Sequence, residues 1–350
     1  MRPLREQHKV TGADAAPRVA RDKRMKITLY KIARSIGMFR FSRKLRRRGT
    51  LILCYHGAWQ AKAAYEGGPM FIRPETFARR MQSLRDSGCP VIPLSQAVEA
   101  LAGRRPLPAH AVVVTIDDGW ASTYETMLPE LRRHNFPATL YCHTGHPRDG
   151  SPVLHVLLKY TLALGGNGSL PPDIQNHCQR VMDPKLSDPE RWASYLAFCK
   201  SLRLDTEAYT SNRNFAYMTD EELRITRLSN IDIQLHTHSH TLHHFEPDEI
   251  RREIADNVAA LVSRLSCKEK DLSHFCYPSG MYSESAVKCL RALGIASATT
   301  CETGLATPDT DPLLLPRITD GDQLDDVEFE AELTGFAELM RRGRRLFRGW

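Results

Sequence analysis

Two aspartates side by side, and two histidines four residues apart, are the residues of this chain best suited to chemistry. Asp117 and Asp118 follow the apolar run 112–116 and precede Gly119. His236 and His240 bound the stretch His236-Thr237-His238-Ser239-His240, which follows the β-rich run 231–235. One carboxylate and two imidazoles make a facial donor set for a divalent cation, with positions left open for water and substrate. The second carboxylate then stays available as a base. Adjacent carboxylates facing one way repel, and a cation beside them relieves that cost. Neighbours in a regular strand point to opposite faces, so Gly119 reads as the turn that lets both aspartates reach one site. Taken singly, the clusters have plainer readings: a solvated Asp-Asp-Gly turn, and a surface histidine group, with His243 and His244, that takes up metal adventitiously. Their shared placement just past a β-rich run argues for a site.

The elements that must hold these residues follow from periodicity. LILCY (51–55), VVVTI (112–116), ATLYC (138–142), IDIQL (231–235) and HFCYP (274–278) read as strands. Between them lie helical patterns: Phe77, Met81 and Leu84; the run 123–134; Ile250, Ile254, Val258, Leu261 and Leu265; and 284–293. Such alternation predicts a parallel α/β sheet or barrel. In those folds the carboxyl ends of the strands form the active face, where Asp117, Asp118 and His236 fall. The interval 147–218 breaks the rhythm and reads as a mostly helical insertion.

These motifs, in this order, resemble a known family. TIDDG (115–119) is similar to the TFDDG motif of the NodB-homology polysaccharide deacetylases, and HTHSH (236–240) to their HxxxH motif. FCYPSG (275–280) resembles their third motif, which often reads FRPPYG. GLATPDTDPLLLPRI (304–318) resembles a segment of the branch associated with exopolysaccharide biosynthesis. The resemblance covers roughly residues 50–318. It implies an irregular (β/α) barrel and hydrolysis of an N-acetyl, or O-acetyl, group on a glycan. It implies Asp117 as general base and Asp118, His236 and His240 as ligands of one divalent ion, zinc foremost. Such an ion polarises the acetyl carbonyl and acidifies its water. The Ser279 N–H would face the oxyanion, with Tyr277 and His238 toward the substrate. Cys276 stands where many members carry an arginine that pairs with the base, and Arg317 is expected to replace it. The usual carboxy-terminal acid histidine is missing, and His56, in the pair Tyr55-His56, is expected to take that role.

Charge is unevenly spread over the 350 residues. Residues 1–50 hold 16 Lys and Arg against 3 Asp and Glu, and the last ten residues hold 5 Arg, while the body between is mildly acidic. Three segments follow: a basic extension 1–49, disordered over 1–24 or amphipathic; a barrel 50–325; and a helix with a basic tail, 326–350. Residues 25–48 read as an amphipathic helix suited to an anionic membrane surface. A nucleic-acid role ranks low, since nothing in residues 25–48 matches a nucleic-acid module. No run is apolar enough to span a bilayer, and no signal-peptide pattern is seen. The nine cysteines, without paired spacing, read as reduced thiols. Together these predict a cytoplasmic protein, peripheral at the inner membrane surface. Two other functions stay open: a non-catalytic, degenerate sugar-binding domain, and an amidohydrolase acting on a small non-sugar amide.

Overall fold

Strand β1 (Leu51–Tyr55) begins a parallel sheet that continues through β2 (Val112–Asp117), β3 (Ala138–Cys142), β4 (Ile231–Leu235), β5 (His274–Cys276), β6 (Ser297–Thr299) and β7 (Ile318–Thr319). The computed structural model describes residues 15–46, 49–65, 67–68, 70–164, 170–183, 185–242 and 245–348, so His243 and His244 lie outside the described residues. Spatial order is β6-β5-β4-β3-β2-β1-β7, with registers such as Leu53 opposite Val114 and Leu140 opposite Ile233. Every residue of β1, β2 and β3 is buried. That explains their continuous apolar character, since a parallel sheet is covered on both faces. The Leu315 N–H donates to the Ala298 carbonyl and the Thr300 N–H to the Leu315 carbonyl, while Ile318 and Thr319 pair with β1. Residues 315–319 therefore close the sheet into a barrel.

Helix Pro74–Ser87 buries Phe77, Met81 and Leu84, the face its spacing predicts; helix Pro247–Leu265 buries Ile250, Ile254, Leu261 and Leu265, with Asn257 buried and Val258 only half-buried. The run 123–134 is less regular. Residues Thr123–Met127 form a π-helical turn before helix Leu128–His134, and the Leu128 N–H bonds five residues back to Thr123. Pro129 has no N–H to give, and its ring would strike the Glu125 carbonyl in a regular helix, so the wider turn relieves the clash. The insertion supplies helices Leu154–Leu164, Pro172–Met182 and Asp188–Ser201. They share a core in which Leu157, Ile174, Val181, Tyr195 and Phe198 join Trp59, Phe71 and Trp120.

Arg48–Gln323 forms one compact unit; residues 1–47 and 324–350 form another. In the smaller unit, helices Ala15–Ser35, Met38–Leu45, Asp326–Leu333 and Phe336–Arg348 enclose Tyr30, Ala33, Phe39, Val327, Ala331 and Phe336. The two chain ends, read separately from the sequence, thus share one core. Residues 15–24, read as disordered from composition, are helical. Their alanines and long straight side chains favour a helix, and Pro17 falls in the first turn, where its missing N–H costs nothing.

Candidate active site

Asp117 ends β2 with its side chain inside the barrel, 2% exposed. The guanidinium of Arg317 lies across it as a two-pronged pair, donating to Oδ1 and Oδ2 at 2.8 Å each. Arg317 is 1% exposed and also donates to the Thr300 carbonyl at 2.9 Å and the Thr115 hydroxyl at 3.1 Å. The thiols of Cys276 and Cys54 lie 3.4 and 3.6 Å from Asp117 Oδ2. Cys276 Sγ is also 3.2 Å from Arg317, so a small side chain at 276 leaves the volume that the arginine from residues 315–319 fills. Burial alone would raise the Asp117 carboxyl. The charge and hydrogen bonds of Arg317 outweigh it and hold the group at about 2.

Asp118 is turned away from strand geometry by its own backbone. Its φ is +73°, followed by +87° at Gly119. The turn therefore begins at Asp118 and not, as expected, at Gly119; Trp120 supports it, its indole N–H donating to Asp118 Oδ2 at 3.0 Å. A non-glycine residue held there stores strain of order 1–3 kcal/mol, a pattern that clusters at functional sites. His240 and Thr237 are likewise left-handed, at +59° and +64°.

Asp118 Oδ1 lies 3.2 Å from the Nε2 atoms of both His236 and His240. Neither contact has hydrogen-bond geometry, so Oδ1 is buried with no hydrogen-bond partner. His236 Nδ1 is 2.8 Å from the Cys276 carbonyl. That carbonyl can only accept, so Nδ1 carries the proton and Nε2 presents a lone pair. One carboxylate oxygen and two imidazole nitrogens thus lie within 4.8 Å of one another, and with both rings deprotonated at Nε2 these residues fit a divalent cation. Two other donor groups are close, Cys54 with His56 and Asp117, and Asp117 with His236 and Cys276. They fit less well, because burial pushes both thiols up and away from the thiolate and Asp117 is already paired with Arg317. Burial would also raise Asp118, but the two imidazoles hold it well below the usual range. Burial would lower His236, but the neighbouring carboxylates raise it.

The other expected residues divide. His56 Nε2 lies 3.9 Å from Asp117 Oδ2, beside the base rather than across the site from it. Tyr277 is buried and packs on Phe275 and Tyr282. Ser279 is exposed, with a left-handed φ of +55°. His238 is turned from the donor set: its Nδ1 meets the Thr144 hydroxyl at 3.0 Å, and the Glu253 carboxylate accepts from the N–H groups of His238 and Ser239 at 3.0 and 2.7 Å. Asn257 Oδ1 accepts from the His236 N–H at 2.9 Å while its amide donates to the Cys142 carbonyl at 3.1 Å, joining the ends of β3 and β4.

Sequence reasoning missed His143, the first residue after β3. The strand-end rule that singled out Asp118 and His236 points to it equally. Both its ring nitrogens are buried without a partner, and its ring centroid is 5.4 Å from that of His240. Burial, then Arg148, holds it neutral. A row of rings continues outward, His143 to His146 at 5.1 Å and His146 to His155 at 5.7 Å. It ends in a cavity of about 380 Å³ lined by His146, His155, Trp192, Arg191, Asp188 and three prolines.

The polysaccharide deacetylase family model matches residues 182–298, a stretch holding His236, His240 and the 275–280 motif but not Asp117 or Asp118. Over 69 residues the chain is 36% identical to poly-β-1,6-N-acetyl-D-glucosamine N-deacetylase of Escherichia coli (strain K12), covering 20% of this chain and 10% of that relative. The chain thus spans about a tenth of the length of the curated relatives it matches. Among solved structures, IcaB from Ammonifex degensii superposes with a TM-score of 0.55 at 19% identity, covering 82% of this chain and 97% of that one. The Streptococcus pyogenes deacetylase PplD, in complex with acetate, gives 0.53 at 19% identity, covering 78% and 92%. At such identity these neighbours speak for the fold, and the fold they share is this barrel. With the ordered motifs, the family match over residues 182–298 and that common architecture, the chain is similar to the polysaccharide deacetylases.

Proposed function

We propose that the chain is a metal-dependent hydrolase that removes acetyl groups, N-acetyl first among them, from a polysaccharide. The observation that carries this reading is the junction of two arrangements at one end of the barrel. A carboxylate kept ionised by a buried arginine stands beside a carboxylate and two imidazoles whose donor atoms lie close together. Asp118, His236 and His240 would hold the ion, zinc foremost, which when bound polarises the acetyl carbonyl and acidifies water. Asp117 takes the proton of the attacking water, and Arg317 fixes the direction of its lone pairs. Cleavage of the C–N bond needs a proton on the departing amine, a role assigned to His56, whose Nε2 lies 3.9 Å from Asp117 Oδ2. The products are acetate and a free amine. The Ser279 N–H is assigned to the acyl oxygen, while Tyr277, fully buried, supports the segment that carries it and does not touch the sugar.

The cavity beyond His146 favours a glycan over a small amide. Neutral rings and prolines with one arginine and one aspartate suit stacking on sugar faces and hydrogen bonding to hydroxyls, and about 380 Å³ lies in the range of ligand sites. Acetate release from N-acetylglucosamine oligomers of β-1,6 and β-1,4 linkage tests the reading. Release should stop on chelation and return with divalent metal. Asp118→Ala should lose the metal, and Asp117→Asn should keep it while losing turnover. A well-folded, metal-loaded protein that releases no acetate from any acetylated glycan would leave a sugar-binding domain in its place.

A further inference from the structure

Helix Ala15–Ser35 carries two apolar faces. On one side Tyr30 and Ala33 are buried, with Ile27 packed against the same core. On another, Met25, Leu29 and Ile32 are 63%, 45% and 53% exposed, and Ile36 just past the helix end is 70% exposed. Their spacing of four, three and four residues sets them in one line along the helix. Met38 and Phe41, 38% and 56% exposed, extend the apolar surface onto the helix Met38–Leu45. A surface helix ordinarily shows one apolar stripe, turned to the core. Contiguous exposed side chains of this kind mark an interaction surface.

Charge indicates what covers it. Residues 21–46 hold ten Lys and Arg against the single acid Asp22, and Arg21, Arg24, Lys31, Arg40 and Lys44 are exposed. A second copy docking through the same patch would oppose like charges. A surface of anionic headgroups over hydrocarbon matches both features, since apolar side chains sink past the headgroups while basic ones stay among them. No described helix is long and apolar enough to cross a membrane, so the contact is with a surface. We propose that Met25, Leu29, Ile32, Ile36 and Phe41 seat this protein on a bilayer carrying anionic lipid. This inference is independent of the deacetylase reading.

The test uses the full chain and vesicles of phosphatidylcholine with or without phosphatidylglycerol. Sedimentation should show binding to the anionic vesicles, weakening as salt rises because the charge contribution is screened. Replacing exposed side chains should leave the fold intact, so Ile32→Glu with Ile36→Glu should keep the melting temperature yet lose about tenfold in partitioning per apolar side chain removed. In Ile36→Trp, the emission added by the new indole should shift to the blue on the same vesicles. The proposal is overturned if the wild-type chain stays in solution at low salt or if the double variant binds as well as wild type. Unshifted emission from the Ile36→Trp variant, on protein that sediments with the vesicles, would also overturn it. A dimer that the double variant dissolves, with no vesicle binding, would assign the stripe to a second copy instead.

Discussion

Arg317 shows how far a single residue can be judged from its neighbours in sequence. The missing arginine at position 276 and the Leu-Pro-Arg after an apolar run made it a candidate. Its two-pronged contact with Asp117, at 2.8 Å on both oxygens, depends on residues 315–319 closing the barrel, which no local pattern encodes. Arg317→Met would leave the Asp117 carboxylate buried without its partner, at a cost of about 3–5 kcal/mol, read as a lower urea midpoint at neutral pH. Asp117 sits at about 2, below its unfolded value of roughly 3.9. Its stabilising contribution is therefore complete above about pH 4 and is lost as pH falls toward 2. In the variant, burial acts without its main opponent, Arg317, leaving only the weaker pull of His56 and His236, so the carboxyl rises, and the deficit against wild type should shrink as the solution is acidified. The acid limb of the activity profile should move to higher pH, because the base is then protonated sooner. An unmoved limb would show that Asp117 is not the titrating base. His56→Ala should keep its metal and lose about 10²–10⁴-fold in turnover, the usual contribution of a positioned acid; loss of metal on dialysis would make His56 a ligand.

At the scale of elements, most strand ends were legible because fully buried parallel strands are apolar runs bounded by polar residues, while Ile231–Leu235, with Asp232 exposed, was legible by its alternation. β6 and β7, three and two residues long, leave too short a run to detect. The loops past the strands were not legible either. Nothing in Asp-Asp-Gly shows that Asp118 itself is left-handed, and nothing in His-Thr-His-Ser-His shows that His238 faces Thr144. The loops after β3 and β4 lock together where the Gly145 N–H donates to the His238 carbonyl at 2.7 Å. A Cβ on Gly145 would meet that same oxygen at 2.7 Å, closer than side-chain carbons come, and backbone cannot swing aside. Gly145→Ala should displace the segment carrying His236 and His240 and weaken metal affinity by about 10–100-fold, the scale of lost support around metal ligands, with circular dichroism unchanged. Titration of metal into the apo-protein reads it, and unaltered affinity would show that the two loops move independently. In the insertion, Trp192 lines the cavity beyond His146. If that cavity holds a neighbouring sugar, Trp192→Ala should raise KM for a pentamer several-fold while sparing a monosaccharide substrate. Equal effects on both would make Trp192 a packing residue.

The molecule as a whole holds two cores. One joins the insertion to the barrel's flank through Trp59, Phe71, Trp120 and Phe198. The other gathers the two chain ends around Tyr30, Phe39 and Phe336. Sequence reading separated the ends because most of the chain, Arg48–Gln323, lies between them, and no local pattern shows that their apolar residues meet. Their charges are also complementary. Lys26 meets Glu328 at 2.7 Å and Arg34 meets Glu330 at 3.1 Å. Those pairs are partly exposed and add little, so the aromatic cluster should govern. Phe39 is 3% exposed, with its ring centroid 5.0 Å from Phe336 and 6.4 Å from Tyr30. Phe39→Ala removes a central ring and should cost about 3–5 kcal/mol, a large share of what so small a core can supply. Hydrogen exchange should then quicken through helices Ala15–Ser35 and Phe336–Arg348 together, because they share that core. Strands β1 to β4 should keep their protection, and the protein should keep its metal. Exchange that quickens in one terminal helix alone would show that the two ends are not held by a common core.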